Sequence, residues 1–187
     1  MKFALGRKSG MTTIYDENGA QNVTLISVEP NVVDLVRNVE RDGYNAIRLA
    51  VNKTKNIQYK KEFRVENVLD FKEKDEITVD VFSVGDVVRV SAPSKAKGFQ
   101  GVVKRHGFKG GPKSHGHRHV LRQAGSIGSA FPEHVRKGKK MAGRMGGQRS
   151  TSEHLSIVHV DPATNTIAVR GSVPGVAGRI VEIVSLA

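Results

Sequence analysis

Short runs rich in β-branched residues, separated by turn-forming residues, occupy the two ends of the chain. Apolar and polar positions partly alternate within these runs, which is typical of half-buried strands. Turn signals such as Gly85-Asp86, Asp161-Pro162 and Val173-Pro-Gly175 lie between them. Strands are therefore predicted at residues 23–29, 46–51, 77–82, 87–90, 155–160, 166–170 and 179–184. Strands of this length and spacing predict a mainly β fold, a small barrel or a sandwich.

Residues 31–41 fit two patterns. Their apolar side chains would suit one face of a helix as well as a strand: Val32, Val33, Leu35, Val36 and Val39. We interpret this segment as a strand. The chain contains no internal repeat.

The strand pattern stops in the middle of the chain, where a strongly basic segment takes its place. Residues 95–149 contain 14 Lys and Arg against one acid, Glu133, so the segment carries +13. The whole chain carries +12, which leaves −1 for everything else. The same segment holds 12 of the 20 glycines and five of the seven histidines. One segment is therefore a polycation, and the remainder is nearly neutral.

Apolar residues in the basic segment are sparse and follow no sustained period, so it cannot bury enough surface to offset its chain entropy. Alone it should be disordered or loosely held. A flexible solvated linker is the simplest alternative. However, bulky Phe, Ile and Met residues lie between the glycines, and basic residues recur along the whole segment, which is not typical of a linker. We predict one discontinuous β domain, residues 1–94 and 150–187, with an RNA-binding extension, residues 95–149, inserted in it.

Composition narrows the class of partner. With 187 residues the chain suits one domain carrying an insertion, and 38% hydrophobic residues permit a real core. A net charge of +12 and an isoelectric point near 10.1 favour polyanions, nucleic acid first and an anionic membrane surface second. The chain has no cysteine, no stretch long enough to span a bilayer and no signal-peptide run near its start. A soluble protein of a reducing cytoplasm or of an organelle interior is expected.

Two motifs resemble catalytic ones, and both fall short. Residues 107–114 resemble a phosphate loop, but Pro112 stands where the motif needs glycine and removes a backbone N–H from the amide cradle. Ala124-Gly-Ser-Ile-Gly128 resembles a nucleophile elbow that has lost its first glycine. We predict no catalytic residue, no enzymatic activity and no cofactor.

Alternating histidines in His115-Gly-His-Arg-His119 form the best candidate metal site. The neighbouring cations Lys113, Arg118 and Arg122 would repel a dication, and no carboxylate is near in sequence. Contacts from these histidines to phosphate, ribose or base are the preferred interpretation, and no metal is predicted. The tetrads at residues 98–101 and 143–146 resemble a backbone-clamping G-x-x-G loop, although glycine more simply permits close approach to RNA.

The predicted RNA interface consists mainly of the cations and histidines of the extension. It has three Phe and no Tyr or Trp, so recognition of the shape and backbone of folded RNA fits better than stacking on single strands. The predicted contacts are Arg7, Lys8, Lys95, Lys97, Lys104, Arg105, His106, Lys109, Lys113, His115, His117, Arg118, His119, Arg122, Ser126, Arg136, Lys137, Lys139, Lys140, Arg144, Gln148 and Arg149.

Several ordered motifs resemble the universal large-subunit ribosomal protein L-three family, in its short bacterial form. They cover nearly the whole chain: Gly6-Arg-Lys-Ser-Gly-Met-Thr12, Asp42-Gly-Tyr-Asn-Ala-Ile47, Ser94-Lys-Ala-Lys-Gly-Phe-Gln-Gly101, Val103-Lys-Arg-His106, Gly125-Ser-Ile-Gly128, Lys137-Gly-Lys-Lys-Met-Ala-Gly143 and Val173-Pro-Gly175. The resemblance implies a β-barrel on the solvent side of the large subunit and an extension that passes through rRNA towards the peptidyl-transferase centre. It also implies early binding to large-subunit rRNA, nucleation of assembly and contacts with neighbouring ribosomal proteins.

Two departures from the family pattern stand out. Residues 52–75 are compact where many bacterial members are longer, which bears on peripheral contacts. Residues 125–131 would lie near the inner tip, and Ser129-Ala-Phe-Pro132 replaces a glutamine-containing stretch that is methylated in some relatives. That modification is therefore predicted to be absent. Two other classes remain as alternatives, a module that meets nucleic acid transiently and a phosphate-handling enzyme.

Overall fold

The computed structural model describes residues 2–16, 19–54 and 56–186. The chain divides into two compact units, Met1–Ser94 with Arg149–Ala187, and Lys95–Gln148. Arg149, which the sequence analysis assigned to the extension, opens a strand of the larger unit and pairs with Pro93. The prediction of a mainly β fold is confirmed. No helix among the described residues is long and apolar enough to cross a membrane.

The larger unit contains ten strands among the described residues, with one helical turn, α1 (Val39–Asp42), and a 3-10 turn at Val79–Val81. The smaller unit contains a two-stranded ladder and one short helix, α2 (Val102–His106). In chain order the strands are β1 (Phe3–Asp16), β2 (Gly19–Ser27), β3 (Asn31–Arg37), β4 (Ala46–Thr54), β5 (Ile57–Arg64), β6 (Glu76–Ile77), β7 (Val87–Pro93), β8 (Phe99–Gln100), β9 (Gly143–Arg144), β10 (Arg149–Asp161), β11 (Thr166–Arg170) and β12 (Ile180–Ser185).

Six of these strands close into a ring in the order β1-β12-β7-β10-β11-β2, each antiparallel to its neighbours. Alternate residues point inward and fill the ring with small and branched side chains. Ile26, Val90, Ile157 and Ile183 are among the buried members of this first core. The apolar runs near both ends of the sequence therefore meet in one closed sheet.

A second sheet, in the order β5-β4-β3-β6, was not anticipated as a separate layer. It has its own core, which includes Ile47, Leu49 and Phe63. Phe3 of β1 and Val184 of β12 belong to this second core as well. β12 and the first part of β1, residues 3–6, are consequently buried on both faces. For β12 this explains a nearly continuous apolar run, since both faces of the strand meet a core.

The predicted strand at residues 77–82 is wrong over most of its length. Only Glu76–Ile77 pairs with β3, and the chain then turns through Val79–Val81. Val79 and Phe82 both enter the first core. In a 3-10 turn, residues three apart lie on the same side, so this turn buries two apolar residues that a strand would direct to opposite faces.

The ambiguous segment at residues 31–41 divides in two. Residues Asn31–Arg37 form β3 as predicted, and Val39–Asp42 form α1. The helix ends at Gly43, whose φ of 80° lies in the left-handed region that glycine adopts without steric cost. In the described part of the chain, the sequence patterns missed four strands, β1 and β5 of the larger unit and the two-residue strands β8 and β9 of the smaller unit.

The Asn31 side chain of β3 joins the second sheet to the backbone of ring strand β1. The Leu5 N–H donates to Asn31 Oδ1 at 2.6 Å, and Asn31 Nδ2 donates to the Leu5 carbonyl at 2.9 Å. Asn31 Nδ2 also donates to the carbonyl of Glu29 at 2.6 Å. β2 pairs with β1 only from Arg7 onward, so Leu5 has no strand partner on that side. The fully buried Asn31 amide takes the place of the absent strand.

Replacing Asn31 with alanine should lower the free energy of unfolding by about 3 kcal/mol, because a buried N–H and a buried carbonyl of Leu5 lose their partners. Urea unfolding measures this change. Asn22→Ala, at an exposed asparagine of β2, is the matched control and should change stability little. Equal effects of the two variants would contradict a joining role for Asn31.

Candidate nucleic-acid interface

The smaller unit begins and ends in a backbone ladder that we call the neck, residues 97–100 and 143–146. Its two runs pair through β8 and β9. Beyond the strands, Lys97 N–H donates to the Met145 carbonyl and Met145 N–H donates to the Gly98 carbonyl, both at 2.9 Å. At Gly146, with φ of 72°, a Cβ would lie 2.1 Å from the Lys95 carbonyl oxygen. Only glycine permits this approach, so the neck has a defined backbone geometry.

Helix α2 follows the neck and is tied to its returning run. Arg105 Nη1 donates to the Met141 carbonyl at 2.7 Å, and His106 Nε2 lies 3.0 Å from the same oxygen. Val102, at 5% exposure, is the one buried side chain of residues 95–148. Arg105 and His106, both predicted RNA contacts, are half-buried and bind the protein's own backbone. The neck is therefore organised by hydrogen bonds and glycine contacts more than by a core.

The glycine-rich loop that resembles a phosphate loop is a crossing of two backbone runs. Gly111 N–H donates to the Val120 carbonyl at 3.1 Å. A Cβ on Gly111 would lie 2.6 Å from Val120 Cγ2, and one on Gly110 would lie 2.8 Å from the Arg122 nitrogen. Both glycines are needed so that the runs can touch. The structure thus gives these glycines a steric role in place of an amide cradle for phosphate.

Beyond the crossing, side chains bind nearby backbone. Ser126 Oγ donates to the Gly128 carbonyl at 2.6 Å, and His134 Nδ1 lies 2.7 Å from the Pro132 carbonyl. Phe131 is 81% exposed, an unusual placement for a large apolar side chain. The histidines at 115, 117 and 119 are exposed, and no cluster of three potential metal ligands occurs among the described residues.

Charge is the dominant property of the smaller unit. Residues 95–148 lie wholly within the described part of the chain, and no salt bridge there involves any of them. Their 13 Lys and Arg face a single acid, Glu133. The predicted contacts that are exposed on this unit are Lys95, Lys97, Lys104, Lys109, Lys113, His115, His117, Arg118, His119, Arg122, Ser126, Arg136, Lys137, Lys139, Lys140, Arg144 and Gln148. The surface is therefore cationic without internal neutralisation.

Three predicted contacts lie on the larger unit, and one of them is buried. Lys8 is 8% exposed, and its ammonium donates to the carbonyls of Val173 at 2.7 Å and Gly175 at 3.3 Å. We therefore leave Lys8 out of the proposed interface. Arg149 is exposed but donates to Glu182 at 2.6 Å. Arg7 is half-buried, and its Nη2 donates to the Asn52 carbonyl at 2.9 Å.

The sequence patterns missed two exposed cations near Arg7, namely Lys53 and Arg179. They come from distant parts of the chain, the end of β4 and the turn before β12. Neither lies in a charged run, so only the fold brings them together.

These features define a β protein whose basic insertion is suited to a polyanion. Comparison with known proteins identifies the family. The family model of Ribosomal protein L3 matches residues 51–166. Three bacterial relatives named large ribosomal subunit protein uL3 are similar over most of their length. The one from Carboxydothermus hydrogenoformans is 42% identical over 97% of this chain and 96% of its own.

The relative from Syntrophus aciditrophicus is 41% identical, covering 93% of this chain and 88% of its own. That from Geobacillus thermodenitrificans is 42% identical, covering 93% and 91%. The chain therefore belongs to the ribosomal protein L3 family. Members of this family are structural proteins of the large ribosomal subunit and not enzymes. The resemblance found in the sequence motifs and the prediction of a non-enzyme are confirmed.

Replacing Gly111 with alanine should loosen the crossing at residues 110–122, because the new Cβ would collide with Val120. Limited trypsin digestion of the free protein should then cut faster at Lys109, Lys113 and Arg122. Gly128→Ala is the matched control, since a Cβ there meets nothing within 4 Å and φ is not positive. Unchanged cleavage in the Gly111 variant would show that the two runs do not cross closely in solution.

Proposed function

We propose that this chain binds large-subunit rRNA, nucleates assembly of the subunit and extends residues 95–149 as an arm towards the peptidyl-transferase centre. The observation that carries the proposal is the set of 13 cations on residues 95–148, of which all but Arg105 are exposed and none has a salt-bridge partner among the described residues. Phosphates supply the missing negative charge. Membership of a family of large-subunit structural proteins supports RNA as the source of those phosphates.

The irregular backbone of the arm suits a crevice in folded RNA. With one buried side chain, the arm has almost no core of its own to occupy space. Glycines at the neck and at the 110–122 crossing bring backbone runs together at van der Waals contact, which keeps the arm thin. Cations recur along its length, so each stretch can meet phosphate as it passes through the RNA. Neutralised phosphates release their counterions, and that release favours binding.

The larger unit serves as the anchor in this proposal. We interpret its closed ring as a small β-barrel, residues 1–94 and 150–187, from which the arm emerges and to which it returns. Both ends of the arm join ring strands, β7 and β10. The proposed partners are large-subunit rRNA and neighbouring ribosomal proteins, with no membrane and no small-molecule substrate. The proposed location is the large ribosomal subunit of the bacterial cytoplasm.

Washing large ribosomal subunits in high salt tests the structural assignment. An arm enclosed by folded RNA should remain bound in stoichiometric amount, because its release requires RNA rearrangement as well as loss of charge contacts. Quantitative immunoblotting of the sedimented subunits measures retention. A peripheral protein of the same subunits that is known to wash off provides the control. Complete release of this chain into the supernatant would favour a transient nucleic-acid module.

Removing charge from the arm should weaken binding and flatten its salt dependence. The triple variant Lys139→Ala, Lys140→Ala and Arg144→Ala removes three exposed cations. If each meets a phosphate, the slope of log affinity against log salt should fall by about 2, at roughly 0.7 per contact. Filter binding to large-subunit rRNA at several salt concentrations measures this slope.

A matched triple variant on the larger unit controls for overall charge. Arg41→Ala, Lys72→Ala and Arg170→Ala remove the same number of exposed cations from that unit. These changes should leave the slope nearly unchanged. If the arm variant also leaves it unchanged, residues 139, 140 and 144 do not meet phosphate.

A further inference from the structure

A cavity of about 310 Å³ opens on the larger unit, where the end of β4, strand β5 and the turn before β12 meet. Its volume lies at the small end of the range of ligand sites, about 300–1,000 Å³. Arg7, Lys53 and Arg179 line it, and none of the described residues that line it is acidic. Its remaining walls include the ring of Tyr59 and aliphatic side chains such as Val176 and Ile180. The cavity thus combines three cations with an aromatic ring.

The turn that forms one wall is held in place by the buried Lys8. Besides the two side-chain bonds from its ammonium, Lys8 N–H donates to the Arg179 carbonyl at 3.0 Å. Gly178 N–H donates in turn to the Lys8 carbonyl at 2.7 Å. Gly175 has φ of 98°, and a Cβ there would lie 3.2 Å from the Pro93 carbonyl oxygen. The wall is therefore preformed, which lowers the entropic cost of binding a ligand.

The cations at the rim are available to an anion. Lys53 and Arg179 are exposed and make no salt bridge with any described residue. The guanidinium of Arg7 is oriented by the Asn52 carbonyl, a neutral partner that adds no negative charge beside it. An arginine held in this way presents further N–H groups to a phosphate.

Tyr59, the aromatic wall of the cavity, is held by packing, and the acid beside it is paired with cations. Tyr59 packs against the second core, and its hydroxyl lies 3.5 Å from Glu182 Oε1. Burial is the main cause that raises the pKa of Tyr59 above its ordinary value, and the Glu182 carboxylate adds to it. Glu182 is itself paired with Lys61 at 3.2 Å and Arg149 at 2.6 Å. The nearest buried acid is thus neutralised and does not oppose an anionic ligand.

We propose that this cavity binds one unpaired nucleotide of the RNA, with its base against Tyr59 and the aliphatic wall and its phosphate at Arg7, Lys53 and Arg179. The inference rests on the proposed function and adds to the arm a base-binding site on the larger unit. A base inside a duplex is stacked and cannot enter, so the site selects a nucleotide that is extruded or lies in a loop.

Titration of the full-length protein with mononucleotides, followed by amide NMR, tests the site. AMP and UMP should shift the Gly178, Arg179 and Ile180 signals saturably in the millimolar range, which is reasonable for a single nucleotide. Ribose 5-phosphate and inorganic phosphate should bind at least about fivefold more weakly, because stacking of the base contributes about 1 kcal/mol or more. Equal binding of AMP and inorganic phosphate would overturn the proposal, as would unsaturable shifts.

Variants separate the two halves of the site. Tyr59→Leu should lower the affinity for AMP at least about fivefold. Tyr59→Phe keeps the aromatic ring and should bind AMP as tightly as the native protein does. The double variant Lys53→Ala and Arg179→Ala should lower the affinities for AMP and for ribose 5-phosphate by the same factor. Arg170→Ala, which removes a cation outside the cavity, is the control for charge. Because Tyr59 also packs against the second core, its replacement could disturb the fold. Ala177→Leu changes the cavity wall independently of Tyr59, and it should weaken the binding of AMP but not that of ribose 5-phosphate.

Binding to large-subunit rRNA distinguishes failure of the cavity from failure of the proposed function. If the native protein binds rRNA but does not prefer AMP over inorganic phosphate, the nucleotide site is wrong and the ribosomal role stands. If the native protein prefers AMP but does not bind large-subunit rRNA, the rRNA role is wrong. An Ala177→Leu protein that binds AMP as tightly as the native protein would also overturn the site.

Discussion

The structure of the larger unit depends on β1 and β12 serving two sheets at once. Ala4 and Ile183 point into the first core, whereas Phe3 and Val184 point into the second. A strand can be shared in this way only if its backbone polar groups are satisfied where the sheet partner ends. Asn31 meets that requirement at Leu5, because its amide both accepts from and donates to the strand's edge. The closed ring and the second sheet consequently pack as one folded unit, rigid enough to hold the two ends of a long insertion.

The two units differ in how their charged side chains are paired. In the larger unit, carboxylates lie beside cations: a hydrogen bond from Lys60 holds the pKa of Asp34 below its ordinary value, and Arg48 acts in the same direction. Arg37 does the same for Glu62. In the smaller unit, one carboxylate faces 13 cations. Surface ion pairs contribute little to stability, so pairing alone does not explain the larger unit's fold. Its effect is to leave that unit nearly neutral, which confines the strong positive field to residues 95–148.

Strands with a strong local pattern were predictable, and those shaped by distant contacts were not. β11 has the predicted bounds because residues 166–170 combine β-branched residues with turns on both sides. β5 is an edge strand that pairs on one side only, and it contains the charged residues Lys60, Lys61 and Glu62. Its sequence therefore lacks the apolar pattern from which a strand is predicted. In β1 a register shift between Lys8 and Gly10 breaks the alternation. Distant contacts also limited the prediction of the site. The basic segment could be recognised from the sequence, but the carbonyls that bind the ammonium of Lys8 lie 165 and 167 residues away along the chain.

Order in the arm comes from steric contact at glycines and from hydrogen bonds to backbone carbonyls. Each close approach, at Gly146 and at Gly111, fixes one point of the path but buries little apolar surface. Hydrophobic stabilisation scales with buried apolar area, so such points restrict the shape of the chain without stabilising it strongly. Phe131 and Ile127, exposed near the far end, have no core to enter within the unit. A polyanion that surrounds the arm would supply both the packing and the negative charge that its own residues lack. The protein's own residues therefore define the path of the arm but stabilise it only weakly.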